Sequence, residues 1–169
     1  MDRHKDTPMP VPQLHLMCGK IASGKSTLAS ALAVEHAAVL LSEDHWLASL
    51  YPGEIRGVAD YVRLARRIRE VVGPLVIKVL ESGASVVMDF PGNTVANRQW
   101  LASLAQAARV GHCLHYLEVE DEVCRARLHA RNERAEHDFA ATDAEFDVIT
   151  GYFQAPAADE GLEILIHRR

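Results

Sequence analysis

Residues 14–32 read LHLMCGKIASGKSTLASAL, and this stretch decides the fold. Leu14 to Cys18 is a short apolar run of the kind that forms a buried strand. It leads into Gly19-Lys20-Ile21-Ala22-Ser23-Gly24-Lys25-Ser26, which matches G-x-x-x-x-G-K-[ST] at every fixed position. Leu28, Ala29, Ala31 and Leu32 then follow a helical pattern from Lys25 to His36. Strand, glycine loop and helix are the context this motif requires. Its two glycines let the backbone wrap a phosphate, and successive N–H groups point inward at the helix start. Lys25 reaches the β- and γ-phosphates, and the Ser26 hydroxyl binds Mg²⁺. The expected nucleotide-binding set is Gly19, Lys20, Ile21, Ala22, Ser23, Gly24, Lys25, Ser26 and Thr27, for ATP or GTP with magnesium.

Outward from the loop, apolar runs alternate with helical patterns. Ala38 to Leu41 reads as a second strand, stopped by Ser42-Glu43-Asp44. A helical region runs from about Ala59 to Ser82 with Leu64, Ile68, Val71 and Val72 as its stripe, broken once by Gly73-Pro74. Ala84 to Phe90 is a third strand, Thr94 to Val110 a helix, His112 to Val119 a fourth strand and Asp121 to Arg134 a charged helix. Thr142-Asp-Ala-Glu145 forms a capping box for a helix toward Gln154, and Glu163 to His167 is the last strand. Five strands alternating with helices predict one parallel sheet covered on both faces, a single α/β domain. Residues 1–13, with three prolines, read as a flexible arm ahead of a domain spanning 14–169.

Composition narrows the function. The 169 residues are 49% hydrophobic and 24% charged, with a formal charge of −5, the balance of a folded soluble protein. That charge disfavours broad nucleic-acid binding, which rests on neutralising phosphates. No apolar run reaches the ~20 residues of a membrane helix. The first 13 residues lack the apolar core of a signal peptide, so the expected compartment is the cytoplasm. Cys18, Cys113 and Cys124 include no CxxC pair and predict no disulfide scaffold. His112 and His115 read as packed or surface residues.

Phosphate loops serve motors, switches and kinases alike. The chain is short for a motor with a separate lid domain. Asp89 ends the third strand, where a magnesium-organising carboxylate is expected, but Phe90 follows it in place of a water-activating acid. No guanine-reading N-K-x-D occurs. Asp44, directly after the second strand, lies where strand carboxyl ends gather around the ligand crevice. A carboxylate there orients an acceptor hydroxyl, takes its proton, or helps hold magnesium; otherwise it caps the segment His45 to Leu50. Arg127 and Arg131, four residues apart, share a helical face that can close over a transferred phosphoryl group, or they form surface ion pairs. Arg63, Arg66, Arg67 and Arg69 read as a solvated face. Trp46, Tyr51 and Tyr61 are either acceptor-pocket walls or core.

The segments GKIASGKST, LLSEDHWL, SVVMDFPGNT, HYLEVEDEVCRARLHARN and DEGLEIL together resemble the small P-loop kinases grouped with zeta toxins, chloramphenicol phosphotransferase and polynucleotide 5′-kinase, many of them labelled AAA-type ATP-binding proteins. The resemblance covers the chain from Leu14 to about His167. It implies a three-layer, nucleoside-kinase-like P-loop fold with strand order 2-3-1-4-5, ATP–Mg²⁺ as donor and a hydroxyl as acceptor. It places the catalytic aspartate on Asp44, the strand-three aspartate on Asp89 and the lid arginines on Arg127 and Arg131, within a lid around 125–142. Asn93 and Arg98 fall where members approach the acceptor. Leu47 stands where the polynucleotide kinases carry an arginine, which argues against a nucleic-acid 5′ end.

These readings converge on a transferase with ATP and Mg²⁺ as cofactors and a small-molecule hydroxyl as partner. Lys25, Asp44, Arg127 and Arg131 are its expected catalytic residues, and Ser26, Asp44 and Asp89 its metal-organising ones. Two other readings stand beside it: an ATP-binding regulatory or toxin-like module with a protein partner, and a nucleic-acid 5′-hydroxyl kinase.

Overall fold

A computed structural model describes residues 11–134 and 140–168. The sheet is built from β1 (Gln13–Cys18), β2 (Val39–Ser42), β3 (Val86–Pro91), β4 (Gly111–Glu118) and β5 (Ile164–Arg168). All neighbouring strands are parallel, in the order β2-β3-β1-β4-β5. The connecting helices are α1 (Lys25–Glu35), α2 (Glu43–Leu50), α3 (Val58–Glu81), α4 (Val95–Ala108), α5 (Asp121–Glu133) and α6 (Asp143–Gly151), with a 3₁₀ turn at Ala158–Glu160. Both the fold class and the strand order match the expectation. Of the expected arm, residues 1–10 lie outside the described set, and Gln13 already belongs to β1.

Alternation along β1 sorts the core. Leu14, Leu16 and Cys18 pack under α3 and α4 with Leu64, Ile68, Val72, Leu101 and Leu104. Met17 faces the other way, onto Ala29 and Leu32 of α1. A third, smaller cluster joins Leu117 and Val119 of β4 to Cys124, Leu128 and Phe146 of α5 and α6. Burial on both faces accounts for the largely apolar composition of β1 and β3, with His15 the buried polar exception on β1.

Gly73-Pro74 does not break α3 as expected. The helix runs through, because Pro74 falls on its exposed face while Leu64, Ile68, Val72, Val76 and Leu80 hold the opposite stripe in the core. Gly73 faces α4: a Cβ there would meet Leu104 Cδ2 at 3.5 Å and Trp100 at 3.8 Å. Among the described residues no helix is long and apolar enough to cross a membrane.

Candidate active site

The loop after β1 turns on residues with positive φ: Gly19 at 156°, Ala22 at 60° and Gly24 at 103°. Gly19 is sterically required. A Cβ there would stand 2.6 Å from Ser23 Oγ and 3.2 Å from Leu117 Cβ. Ser23 is fully buried, and its hydroxyl has no hydrogen-bond partner. Lys25 Nζ donates to Gly19 O at 2.6 Å and Lys20 O at 2.8 Å, so the ammonium sits inside the curl of the loop. Burial lowers its pKa from the ordinary lysine range, opposed chiefly by Asp89 and also by Asp44.

The start of α1 differs from those of α2, α5 and α6. Each of those three carries two acidic side chains in its first turn. The first turn of α1 carries none, and Gly24 supplies no side-chain cap. Its leading N–H groups are thus left for an anion, with the helix dipole behind them. Glycine curl, buried lysine and uncapped helix fit a nucleotide polyphosphate. The exposed Ser26 hydroxyl in the same turn, with Asp44 and Asp89 both acting on Lys25, is a donor set of hard oxygens that suits Mg²⁺.

Asp44 reaches the loop from α2. Ser42, not Asp44, is the N-cap, accepting from the His45 N–H at 3.4 Å; Asp44 occupies the first turn and is half-buried. Its neighbour Glu43 is fully buried. Tyr61 Oη donates to Glu43 Oε1 at 2.6 Å and Arg69 Nε to Oε2 at 3.1 Å, while Arg69 Nη1 donates to Asn97 Oδ1 at 2.9 Å. Burial raises the Glu43 pKa, and Arg69 and Tyr61 oppose the shift. Arg69, expected on a solvated face, is instead an internal tie among α2, α3 and α4, stacked over Trp100 at 5.2 Å. Arg63 and Arg66 keep to the surface, paired with Asp60 and Glu70. Trp46, Tyr51 and Tyr61 all pack against the main core.

Over the other side of the loop lies α5. Arg127 Nη1 donates to Ser23 O at 3.1 Å. Arg131 is half-buried, its Nε fully buried with no partner, and burial lowers its pKa against the pull of Asp44. Lys20 pairs with Asp121 at the start of α5, tying the loop to this helix. Arg125 turns to α6, pairing with Asp143 and Asp147 and stacking on Phe146 at 4.5 Å. Of the expected lid around 125–142, residues 135–139 lie outside the described set.

Asn93 and Arg98, expected near the acceptor, are both engaged within the protein. Asn93 Oδ1 accepts the Gly19 N–H at 3.0 Å, so it sets the first amide of the loop. Arg98 is fully buried. It makes a two-pronged pair with Glu160, both contacts at 2.7 Å, and donates to Gly92 O at 3.0 Å and Gln154 O at 2.7 Å. Four of its five donors are thereby engaged inside the protein.

These features define a nucleotide-binding P-loop protein with the fold of the P-loop kinases. The chain belongs to the AAA domain family, whose model matches residues 14–156. No curated protein matches it. Among solved structures it resembles a candidate kinase from Chloroflexus aurantiacus at 20% identity, covering 94% of this chain and 85% of that one with a TM-score of 0.73. It also resembles Kti12 from Chaetomium thermophilum in complex with ADP-AlF3, at 19% identity, 92% and 89% coverage and a TM-score of 0.66. A gluconokinase from Sinorhizobium meliloti matches at 15% identity over 95% and 83%, with a TM-score of 0.58.

The Glu43–Tyr61–Arg69–Asn97 network was not legible in the sequence. Its one signal was position: Arg69 directly follows the buried Ile68, at the edge of the apolar stripe.

Proposed function

We propose that the chain is a Mg·ATP-dependent phosphotransferase acting on a hydroxyl of a small molecule. The observation that carries this reading is the placement of Asp44, a carboxylate within electrostatic reach of both Lys25 and Arg131. The carboxylate comes from the α2 side, across β1 from α5, and can take a proton from an acceptor hydroxyl there.

Lys25 and the amides of residues 19–27 hold the β- and γ-phosphates, and Ser26 with Asp44 or Asp89 would hold Mg²⁺, whose charge offsets that of the phosphates. The acceptor hydroxyl attacks the γ-phosphorus, its proton passes to an Asp44 oxygen, the bond to the β–γ bridging oxygen breaks and ADP leaves. Arg127 and Arg131 balance the charge on the equatorial oxygens. Glu43, gripped by Tyr61 and Arg69, fixes the turn that carries Asp44. Gluconokinase, among the similar structures, is named for a small hydroxylated substrate, and the net charge of −5 favours such an acceptor over a nucleic acid.

The test is ADP release from Mg·ATP across a panel of hydroxylated compounds, nucleosides and 5′-hydroxyl oligonucleotides. An acceptor that raises the rate, with the gain lost in Asp44→Asn while nucleotide affinity holds, supports the reading. Nucleotide binding with a flat rate across the panel, or full transfer by Asp44→Asn, overturns it.

A further inference from the structure

Away from the loop, three histidines on three adjacent strands touch in sequence. His15 Nδ1 of β1 lies 3.1 Å from His115 Nε2 of β4, and His115 Nδ1 lies 3.0 Å from His167 Nε2 of β5. His15 and His115 are each 3% exposed, whereas His167 is half-buried and opens toward solvent. The exposed ring of His36, just past α1, covers His15 with centroids 4.4 Å apart. Around the row stand Glu35 of α1, Cys113 beside His15 on β4, and the Arg168–Glu118 pair next to His167. The row ends on two further nitrogens, His15 Nε2 and His167 Nδ1, of which His15 Nε2 is buried without a partner.

Proton counting gives the row its behaviour. Each nitrogen–nitrogen contact holds one hydrogen, so three neutral rings fill both contacts and leave one hydrogen for an end. A fourth hydrogen fits at the other end. Both contacts survive, and the charge moves by short hops to the best-solvated ring, His167. A fifth must enter a contact already filled, setting N–H against N–H, and that link opens.

We propose that His15, His115 and His167 form a proton-sharing latch that fastens the edge strand β5 to the sheet, takes one proton intact and lets go on the second. β5 is paired on one side only, with β4, and exposes Leu165 and Ile166, so losing the latch acts on an edge strand. Burial, reinforced by the neighbouring imidazoles, holds His15 and His115 at about 4.

Imidazole ¹⁵N spectra and backbone amide exchange of the full chain, followed from pH 7.5 to pH 4, test this directly. His15 and His115 must share one tautomer and stay neutral while His167 titrates. β5 amides must then lose protection near the lower end, ahead of those of β1 and β3. Opposite tautomers on His15 and His115, or β5 protection that falls together with the whole sheet, overturn the proposal. His167→Gln, at the half-buried end, keeps a side chain that both donates and accepts but takes no proton. It should move β5 release down by roughly one pH unit, and an unchanged release point counts against the latch.

Discussion

Arg69 and Arg98, on α3 and α4, differ from Arg127 and Arg131, on α5, in the company they keep. Arg98 and Arg69 each face a carboxylate that is itself inside the protein, Glu160 and Glu43, with side-chain exposures of 8% and 0%. Arg127 faces a loop carbonyl, and Arg131 keeps a buried Nε with no partner. A guanidinium matched to a buried carboxylate has its charge and donors used up, and it holds elements together. One that is desolvated without such a match has donors to offer an incoming phosphate. The difference marks Arg69 and Arg98 as structural ties and supports the role proposed for Arg131, a distinction that helical spacing could not make.

The contrast can be broken most sharply at Arg98. Arg98→Met leaves the Glu160 carboxylate facing the interior alone, and should cost about 3–5 kcal/mol in urea denaturation. A loss below ~1 kcal/mol would show that the pair carries no weight. Arg131→Met should do the reverse, leaving the urea midpoint near wild type while phosphoryl transfer drops on the order of 10²-fold, about 2.7 kcal/mol of barrier. Equal losses of stability in the two variants would erase the distinction.

The same reasoning extends to imidazoles. His15 and His115 are held at about 4 in the folded chain, against an ordinary 6.5. Between those values the unfolded chain binds protons that the folded one refuses, so their contribution to stability is full above about pH 6.5 and lost as pH falls toward about 4. Urea midpoints measured at pH 7 and pH 4.5 should decline accordingly, and replacing His115 by Gln should flatten the decline. The smallest effect is expected at Arg125, whose partners Asp143 and Asp147 are exposed. Arg125→Gln should leave the urea midpoint within error, since exposed pairs contribute little.

Much of this was legible in the chain itself. The loop from Gly19 to Ser26, the alternation of runs, the strand-end position of Asp44 and the capping box at Thr142 are all local patterns, and the folded chain places them accordingly. What escaped were contacts across long stretches of sequence. Arg98 meets Glu160 sixty-two positions away, and Arg69 meets Glu43 twenty-six away; nothing in helical periodicity pairs such residues. Pro74 misled for another reason. A proline ends a helix by default, but on a solvent face its lost hydrogen bond is outweighed by five buried side chains on the opposite stripe of α3. The row of His15, His115 and His167 exists only because β1, β4 and β5 lie side by side.

The pairing of β1 has a mechanical consequence. Against β4 it runs unbroken from Gln13 to Cys18, while against β3 it jumps from Leu16–Met88 to Met17–Pro91. Two residues of β3, Asp89 and Phe90, therefore have no partner on β1. Gly92 closes the seam where a Cβ would strike Met17 O at 2.7 Å. The phosphate loop thus follows a strand paired without a break to β4, while the side of the crevice bearing Asp89 meets that strand across a broken ladder, bridged by the Gly92 N–H on Met17 O at 2.9 Å. Breathing of the site is expected to follow that break, with the Asp89 side moving against the loop.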